Sequence, residues 1–287
     1  MSTPFRFAAC NEIFQKNSFA EGCSTLREVG YTGIEIAPFT LRENPAELPA
    51  DERASIRQTI VQNGLSFVGL HWILMSPQGL HATTPDRAIR ERTWQFIRDL
   101  AALAVDLNPD ASYRPVLVFG SPKQRARVDG ASHQEAMNIF VDELARIRPY
   151  LEERNVLLLI EPLSPGQCDV LNTLEEAARI IDQLGSPAIQ TMFDVHNAID
   201  EALPHAQLIQ QYFPYIRHVH VNELDGQEPG RGGYDFSPVL ATLQQLKYPG
   251  WVSLEAFDFS RSGRQIASGA LNHLQRVLAS HPTLQTL

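Results

Sequence analysis

A chain of 287 residues, 44% hydrophobic and 20% charged, can bury a sizeable core as one large domain or two ordinary ones. Its net charge of −9 argues against broad non-specific binding to nucleic acid, which needs a basic footprint, and no window approaches the roughly 20 apolar residues that span a bilayer. Cys10, Cys23 and Cys168 are odd in number and too far apart for a CxxC motif, and Met1-Ser2-Thr3-Pro4-Phe5-Arg6 lacks the apolar run of a signal peptide, so the expectation is reduced thiols in a cytoplasmic protein.

The first strand expected is Phe5 to Ala9, with Cys10-Asn11-Glu12 at its tip. A helical pattern from Ser18 to Val29 stops at Gly30, and Thr32 to Ala37 is a second strand ended by Pro38. Asp51 is placed to cap a helix that runs to Asn63-Gly64. Ser66 to His71 is the third strand and ends on an imidazole. After a long loop, Pro85 occupies a natural first helical position of a helix reaching Val105. Pro115 to Gly120 is strand four, and a helix follows from Ser132 to Arg154. Leu157 to Glu161 is strand five, and Thr173 caps a helix ending at Leu184. Ala188 to Asp194 is strand six, Leu203 to Phe213 is helical, and Arg217 to Asn222 is strand seven. Asp235-Phe236-Ser237 opens a helix ending near Leu246, Trp251 to Glu255 is strand eight, and a last helix runs from Gly263 to Ser280.

Eight strand–helix units follow one another with no linker or charge run between them. Alternating units of this kind make a parallel sheet, and eight of them close a (β/α)8 TIM barrel of about 250 residues plus insertions. The competing open sheet would carry a glycine-rich turn after strand one, which is absent. The expectation is an α/β protein with a single barrel domain over residues 1–287.

Strands five to eight end on Glu161, Asp194, His220 and Glu255, separated by 33, 26 and 35 residues. Each interval is about one strand–helix unit, so the four stand at corresponding heights around one barrel mouth. A single Glu or Asp at a strand end is often a cap or an ion-pair partner, and a single His is more often an interior residue than a ligand. The joint pattern is harder to explain that way. Three carboxylates so close together repel one another unless a cation compensates them. Three oxygen donors and one nitrogen suit a divalent ion, Mn²⁺ foremost, with Mg²⁺, Co²⁺ or Zn²⁺ as alternatives. His218 shares a strand face with His220 but lies deeper, as an interior or supporting residue. His71 and Trp72 after strand three are candidates for lining a substrate pocket, with core packing equally open to Trp72. His196 and Asn197 after strand six are placed to hydrogen-bond a substrate hydroxyl, and both would otherwise be surface loop. Pro229-Gly230-Arg231-Gly232-Gly233 is a weak candidate for an anion cradle, and Lys123 and Arg125 are equally ambiguous.

The strand-end set resembles the sugar and sugar-phosphate isomerase/epimerase branch of the xylose-isomerase-like TIM-barrel superfamily, and ketose 3-epimerases within it. The resemblance rests on Gly30-Tyr31-Thr32-Gly33-Ile34-Glu35-Ile36, Gly69-Leu70-His71, Ile160-Glu161-Pro162 and Phe193-Asp194. It continues through His218-Val219-His220-Val221-Asn222-Glu223 and Ser253-Leu254-Glu255. Each motif is weak alone; their order and spacing are specific. The resemblance implies a divalent ion held by Glu161, Asp194, His220 and Glu255, with Glu161 and Glu255 as an acid/base pair passing a proton through an enediolate. It implies a small ketose or sugar phosphate as substrate, no nucleic acid or membrane partner, and leaves a homo-oligomer open. Three departures concern the substrate. Gln167 stands where such epimerases often carry an acidic residue, and Asn197, preceded by His196, stands where many carry His. No arginine follows within Glu223 to Gln227, unless Arg231 substitutes for it. A metal-dependent dehydratase of a keto-sugar or inosose uses the same first proton transfer and is the main rival. A metallo-endonuclease wants more His and a basic face, and a non-catalytic sugar-binding barrel is the plainest alternative.

Overall fold

Successive side chains of a β-strand point to opposite faces, so a strand covered on both sides reads as an unbroken apolar run. Val116–Phe119 (VLVF) and Leu157–Ile160 (LLLI) are such runs, and every residue in them is buried. In the computed structural model, which describes residues 5–128 and 130–280, they are two staves of a closed barrel. Residues 1–4 and 281–287 lie outside the described part, and with them the start of the expected signal-free terminus and both ends of the expected 1–287 domain.

The strands are β1 (Arg6–Cys10), β2 (Gly33–Ile36), β3 (Ser66–Leu70), β4 (Val116–Phe119), β5 (Leu157–Ile160), β6 (Ile189–Asp194), β7 (Ile216–Val221) and β8 (Trp251–Leu254). They hydrogen-bond in sequence order, all parallel, and β8 closes on β1 with Phe7 beside Val252. The helices are α1 (Phe19–Val29), α2 (Ala50–Gln62), α3 (Arg87–Leu107), α4 (Pro122–Arg125), α5 (His133–Arg154), α6 (Leu174–Leu184), α7 (His205–Tyr212), α8 (Ser237–Gln245) and α9 (Gly263–Ser280). The expected single-domain (β/α)8 barrel is the observed fold. Among the described residues no helix is long and apolar enough to cross a membrane.

Helix starts follow side-chain chemistry. Ser18, Ser132 and Thr173 each accept from the backbone N–H three residues on, while Glu21, Glu135 and Glu176 reach back to the cap. Three starts differ from expectation. Helix α2 begins at Ala50 after Pro49, which leaves Asp51 in the first turn rather than at the cap. Helix α3 begins at Arg87, with the Asp86 carboxylate as cap accepting from Ala88 and Ile89, so Pro85 stands just before the cap and not at the first helical position. Helix α7 begins at His205, behind Pro204, and not at Leu203.

The core has two parts. One lies between strands and helices and includes Phe67, Leu117, Phe119, Leu158, Ile160 and Phe193. The other fills the barrel itself with Ala8, Val68, Val116, Val118, Leu157, Leu159, Met192 and Trp251. Period-two alternation continues that inner face upward, from Leu159 to Glu161, from Met192 to Asp194 and from Trp251 through Ser253 to Glu255. Apolar layers at the bottom of the barrel thus give way to a polar layer at its mouth.

Candidate metal and proton-transfer site

Glu161, Asp194, His220 and Glu255 converge: one ligand atom from each lies within 4.8 Å of the other three. All four are buried, His220 completely and Glu161 to 5% exposure. Strand register accounts for the convergence, since Asp194 pairs directly with His220, and His220 with Ser253, two residues before Glu255. His220 Nδ1 lies 3.1 Å from Glu255 Oε2 and 3.6 Å from Asp194 Oδ2.

The electrostatics are those of crowded carboxylates. Burial, and then the charges of Glu255 and Asp194, push the Glu161 carboxyl up to about 8, against the opposing pull of His220 and Arg125. Burial likewise raises Glu255, against the His220 ring, with Asp194 adding to the rise. Burial would raise Asp194 too, but His220, the Asn197 backbone N–H and the Asn222 amide outweigh it and hold it low. The donor set therefore fits a divalent cation: three carboxylates and one imidazole, buried, mutually repulsive and within reach of one centre.

Hydrogen bonds anchor the set from behind. Asn197 donates its backbone N–H to Asp194 Oδ1 at 2.7 Å and its side-chain amide to Glu161 Oε1 at 2.9 Å. Asn222 Nδ2 donates to Asp194 Oδ2 at 3.0 Å, and the His196 N–H donates to Asn222 Oδ1 at 2.9 Å. Gln167 Nε2 donates to Asn197 Oδ1 at 2.9 Å and reaches His196 Nε2 at 3.0 Å. Gln167, His196 and Asn197 thus form one network that ends on Glu161. Strand β4 contributes no side chain to this layer, because its turn in the alternation falls on Gly120. A Cβ there would collide with Glu161 Oε2, so the missing side chain makes the room that this carboxylate uses.

Two expected substrate contacts have partners within the protein. His71 is fully buried and paired through Nε2 with Glu12 Oε2 at 2.8 Å, with its ring 6.1 Å from those of both Trp72 and His220. Arg231 is exposed, and its charge acts on Asp258, after β8. The expected anion cradle is filled by the protein itself: Glu223 Oε1 accepts from the Gly230 N–H at 2.6 Å, and Oε2 accepts from the Tyr234 N–H at 3.0 Å. Gly232 has no room for a side chain, since a Cβ would meet the same carboxylate. Arg125 is fully buried, with Nη1 donating to the Phe119 carbonyl at 2.7 Å and its charge acting on Glu161.

The structure adds residues the motifs do not single out. Glu12 and Glu35 are fully buried, and Glu35 accepts from His218 Nε2 at 2.8 Å. Their signal is a charged residue at an inward position of a buried strand or just beyond it. At the mouth, Trp72 is stacked between Phe39 and Phe257, with ring centroids 5.9 and 5.8 Å apart, and His196 meets Phe257 edge-on at 5.3 Å. Trp72 is only partly buried, so it belongs to the mouth and not to the core. Phe39 and Phe257 carry no motif of their own; only the loops that hold them place them there.

The sequence profile described as "Xylose isomerase-like TIM barrel" matches residues 23–277. A probable ketose 3-epimerase from Synechocystis is 23% identical over 250 residues, covering 84% of this chain and 78% of that protein. A putative hydroxypyruvate isomerase from Mus musculus is 30% identical over 247 residues, covering 79% of each chain. Among solved structures, a 3-keto-D-glucoside 4-epimerase from E. coli superposes with a TM-score of 0.80 at 18% identity, over 95% of this chain and 99% of that one. The profile match over most of the barrel, and the mouse relative's agreement across four fifths of the chain, establish that the protein belongs to the xylose isomerase-like TIM barrel family.

Proposed function

We propose that the protein is a divalent-metal-dependent epimerase or isomerase of a small, unphosphorylated ketose. The observation that carries this reading is the convergence of Glu161 and Glu255, from β5 and β8, on the same buried cluster as Asp194 and His220. Glu161, Asp194, His220 and Glu255 would hold the ion, with Mn²⁺ the best match to three hard oxygens and one imidazole. Bound there, a divalent ion supplies Lewis-acid stabilisation of the negative charge that develops on the substrate carbonyl oxygen.

The protein's own groups do the rest. Glu161, oriented by the Asn197 amide, takes the proton from the carbon beside the carbonyl. Glu255, on the far side of Asp194 and His220, donates its own proton to the enediolate, leaving Glu161 protonated and Glu255 ionised until both exchange with solvent. Return to the opposite face of the same carbon is epimerisation, and return to the neighbouring carbon is isomerisation. Gln167, His196 and Asn197 offer hydrogen-bonding groups suited to sugar hydroxyls. The aromatic stack of Phe39, Trp72 and Phe257 offers an apolar rim suited to excluding water.

Glu223 supports a substrate without phosphate. The loop after strand seven is a usual phosphate position in barrels, and here Glu223 already accepts from its N–H groups. Relatives named as a ketose 3-epimerase and a D-psicose 3-epimerase support the sugar class. The test is to strip the protein with a chelator and assay a panel of free ketoses with and without Mn²⁺. Metal-restored conversion to a product of unchanged mass is the expected result. Loss of one water would establish the dehydratase instead, and conversion that ignores both chelator and metal would refute the metal role.

A further inference from the structure

Of the four proposed metal donors, His220 is the one whose donor atom is not given by its chemistry. A carboxylate offers oxygen whichever way it turns, whereas a neutral imidazole has one lone pair, on either Nδ1 or Nε2. The ring is turned so that Nδ1 faces Glu255 and Asp194, while Nε2 faces Glu35 at 3.1 Å from Oε1 and 3.2 Å from Oε2. We infer that Glu35 is a positioning residue that fixes His220 as an Nδ1 metal donor.

The inference rests on the metal reading above and adds to it a residue from the other half of the barrel. Glu35 stands on β2, which neighbours β1 and β3 and not β7, so its carboxylate crosses the barrel interior to reach His220. It is fully buried and held in turn by His218 Nε2 at 2.8 Å, with His71 Nδ1 3.8 Å from its other oxygen. Two imidazoles from one strand thus grip a single carboxylate. An ionised carboxylate only accepts hydrogen bonds, so the nitrogen facing it must carry the proton. With Nε2 protonated, the lone pair of the neutral ring lies on Nδ1, toward the carboxylate trio. A carboxylate behind a metal-bound histidine sets the ring's tautomer and orientation and makes it a better donor.

A different arrangement of the same atoms makes the opposite prediction. Cys10 Sγ lies 3.9 Å from His220 Nε2 and 3.7 Å from Ser253 Oγ, and Cys10, Glu35 and His220 also offer donor atoms close together. A cation among those three would use Nε2 as donor and Cys10 as thiolate. One lone pair cannot serve both sides, so the two arrangements are separable.

The test uses the full chain with ¹⁵N-labelled histidine, loaded with diamagnetic Mg²⁺ or Zn²⁺, and long-range ¹H–¹⁵N correlations. The expected spectrum shows the His220 proton on Nε2; a proton on Nδ1 with Nε2 bare overturns the inference. Mn²⁺ titration of Glu35→Gln should then show affinity weakened by roughly 10- to 100-fold, while the metal-free variant still melts cooperatively. Unchanged affinity overturns the role of Glu35 and leaves the four-donor site standing. A wild-type protein that takes up no ion overturns the metal reading and the inference together. With Co²⁺, a thiolate-to-metal charge-transfer band that Cys10→Ser removes would establish the Cys10 arrangement and exclude the one proposed.

Discussion

The Asn197 side chain ties two of the clustered carboxylates into one unit: its amide donates to Glu161 at 2.9 Å, while its backbone N–H holds Asp194 at 2.7 Å. The backbone bond survives substitution and the amide bond does not. Asn197→Ala should therefore leave metal binding largely intact and lower kcat by roughly 10- to 100-fold, since a hydrogen bond to a charged group contributes about 1.5–3 kcal/mol. Steady-state kinetics beside a Mn²⁺ titration checks this. A loss confined to metal affinity would contradict the assigned role.

Crowding at Glu161 gives a pH dependence with a definite sign. Its carboxyl is raised from the ordinary 4.5 to about 8 in the metal-free fold, so over that window the folded state holds a proton that the unfolded chain has released. The stability linked to Glu161 is fully present below 4.5 and is lost as pH rises through about 8. Metal-free wild type should lose stability relative to Glu161→Gln between about pH 5 and about pH 9, and saturating Mn²⁺ should reverse that trend. Melting temperatures of both proteins across this range, with and without metal, test the sign. A gap between them that does not change with pH would refute it.

Gly120 is the place in the polar layer where a side chain is forbidden. The Cβ of Gly120→Ala would meet Glu161 Oε2, and moving that carboxylate displaces both a proposed donor and the proposed base. The expected outcome is a folded protein, destabilised by about 1–3 kcal/mol as in other overpacked cores, with turnover reduced far more than that loss of folding explains. Chemical denaturation and kcat measured on the same preparation check it. Full activity in this variant would show that Glu161 does not need its present position.

Glu223 fills the loop after β7 with negative charge. Millimolar inorganic phosphate should therefore leave KM for a free ketose unchanged in the wild type. Glu223→Ala frees the N–H groups of Gly230 and Tyr234, which are exposed and half-buried, and should cost about 0.5–1.5 kcal/mol of stability for each bond lost. Competitive inhibition of the wild type by phosphate would contradict the unphosphorylated substrate.

Much of this molecule is legible in its sequence, for physical reasons. Strands buried on both faces read as unbroken apolar runs, and inward carboxylates stand out at their ends, so the order of residues alone places β5 with Glu161 and β8 with Glu255. The spacing of about one strand–helix unit then brings Asp194 and His220 into the same layer. What sequence conceals is which way a side chain turns and what already occupies a gap. The pairing of His71 with Glu12 is not visible in the sequence, and the glycine-rich loop looks like an anion site until Glu223 is found inside it. Glu35 sits in plain view in a buried strand, but its link to His220 spans 185 positions, which no local pattern encodes. Helix starts show the same limit: Asp51 suits a cap but lies in the first turn of α2, and Pro85 suits a first helical position but lies before the Asp86 cap of α3.

The central claim is that Glu161 and Glu255 move a proton at the carbon beside a ketose carbonyl, and it is tested most directly by solvent exchange. Wild type loaded with Mn²⁺ would be incubated in D₂O with a panel of free ketoses, beside Glu161→Gln and Glu255→Gln whose metal content has been measured. With wild type the expected result is deuterium at that carbon in an epimer, or at the former carbonyl carbon in an isomer, and exchange slowed by roughly 10²- to 10⁴-fold in each variant, the usual contribution of a positioned acid or base. Exchange at the wild-type rate in either variant with metal still bound, or product formed in wild type with deuterium at neither of these carbons, would contradict it.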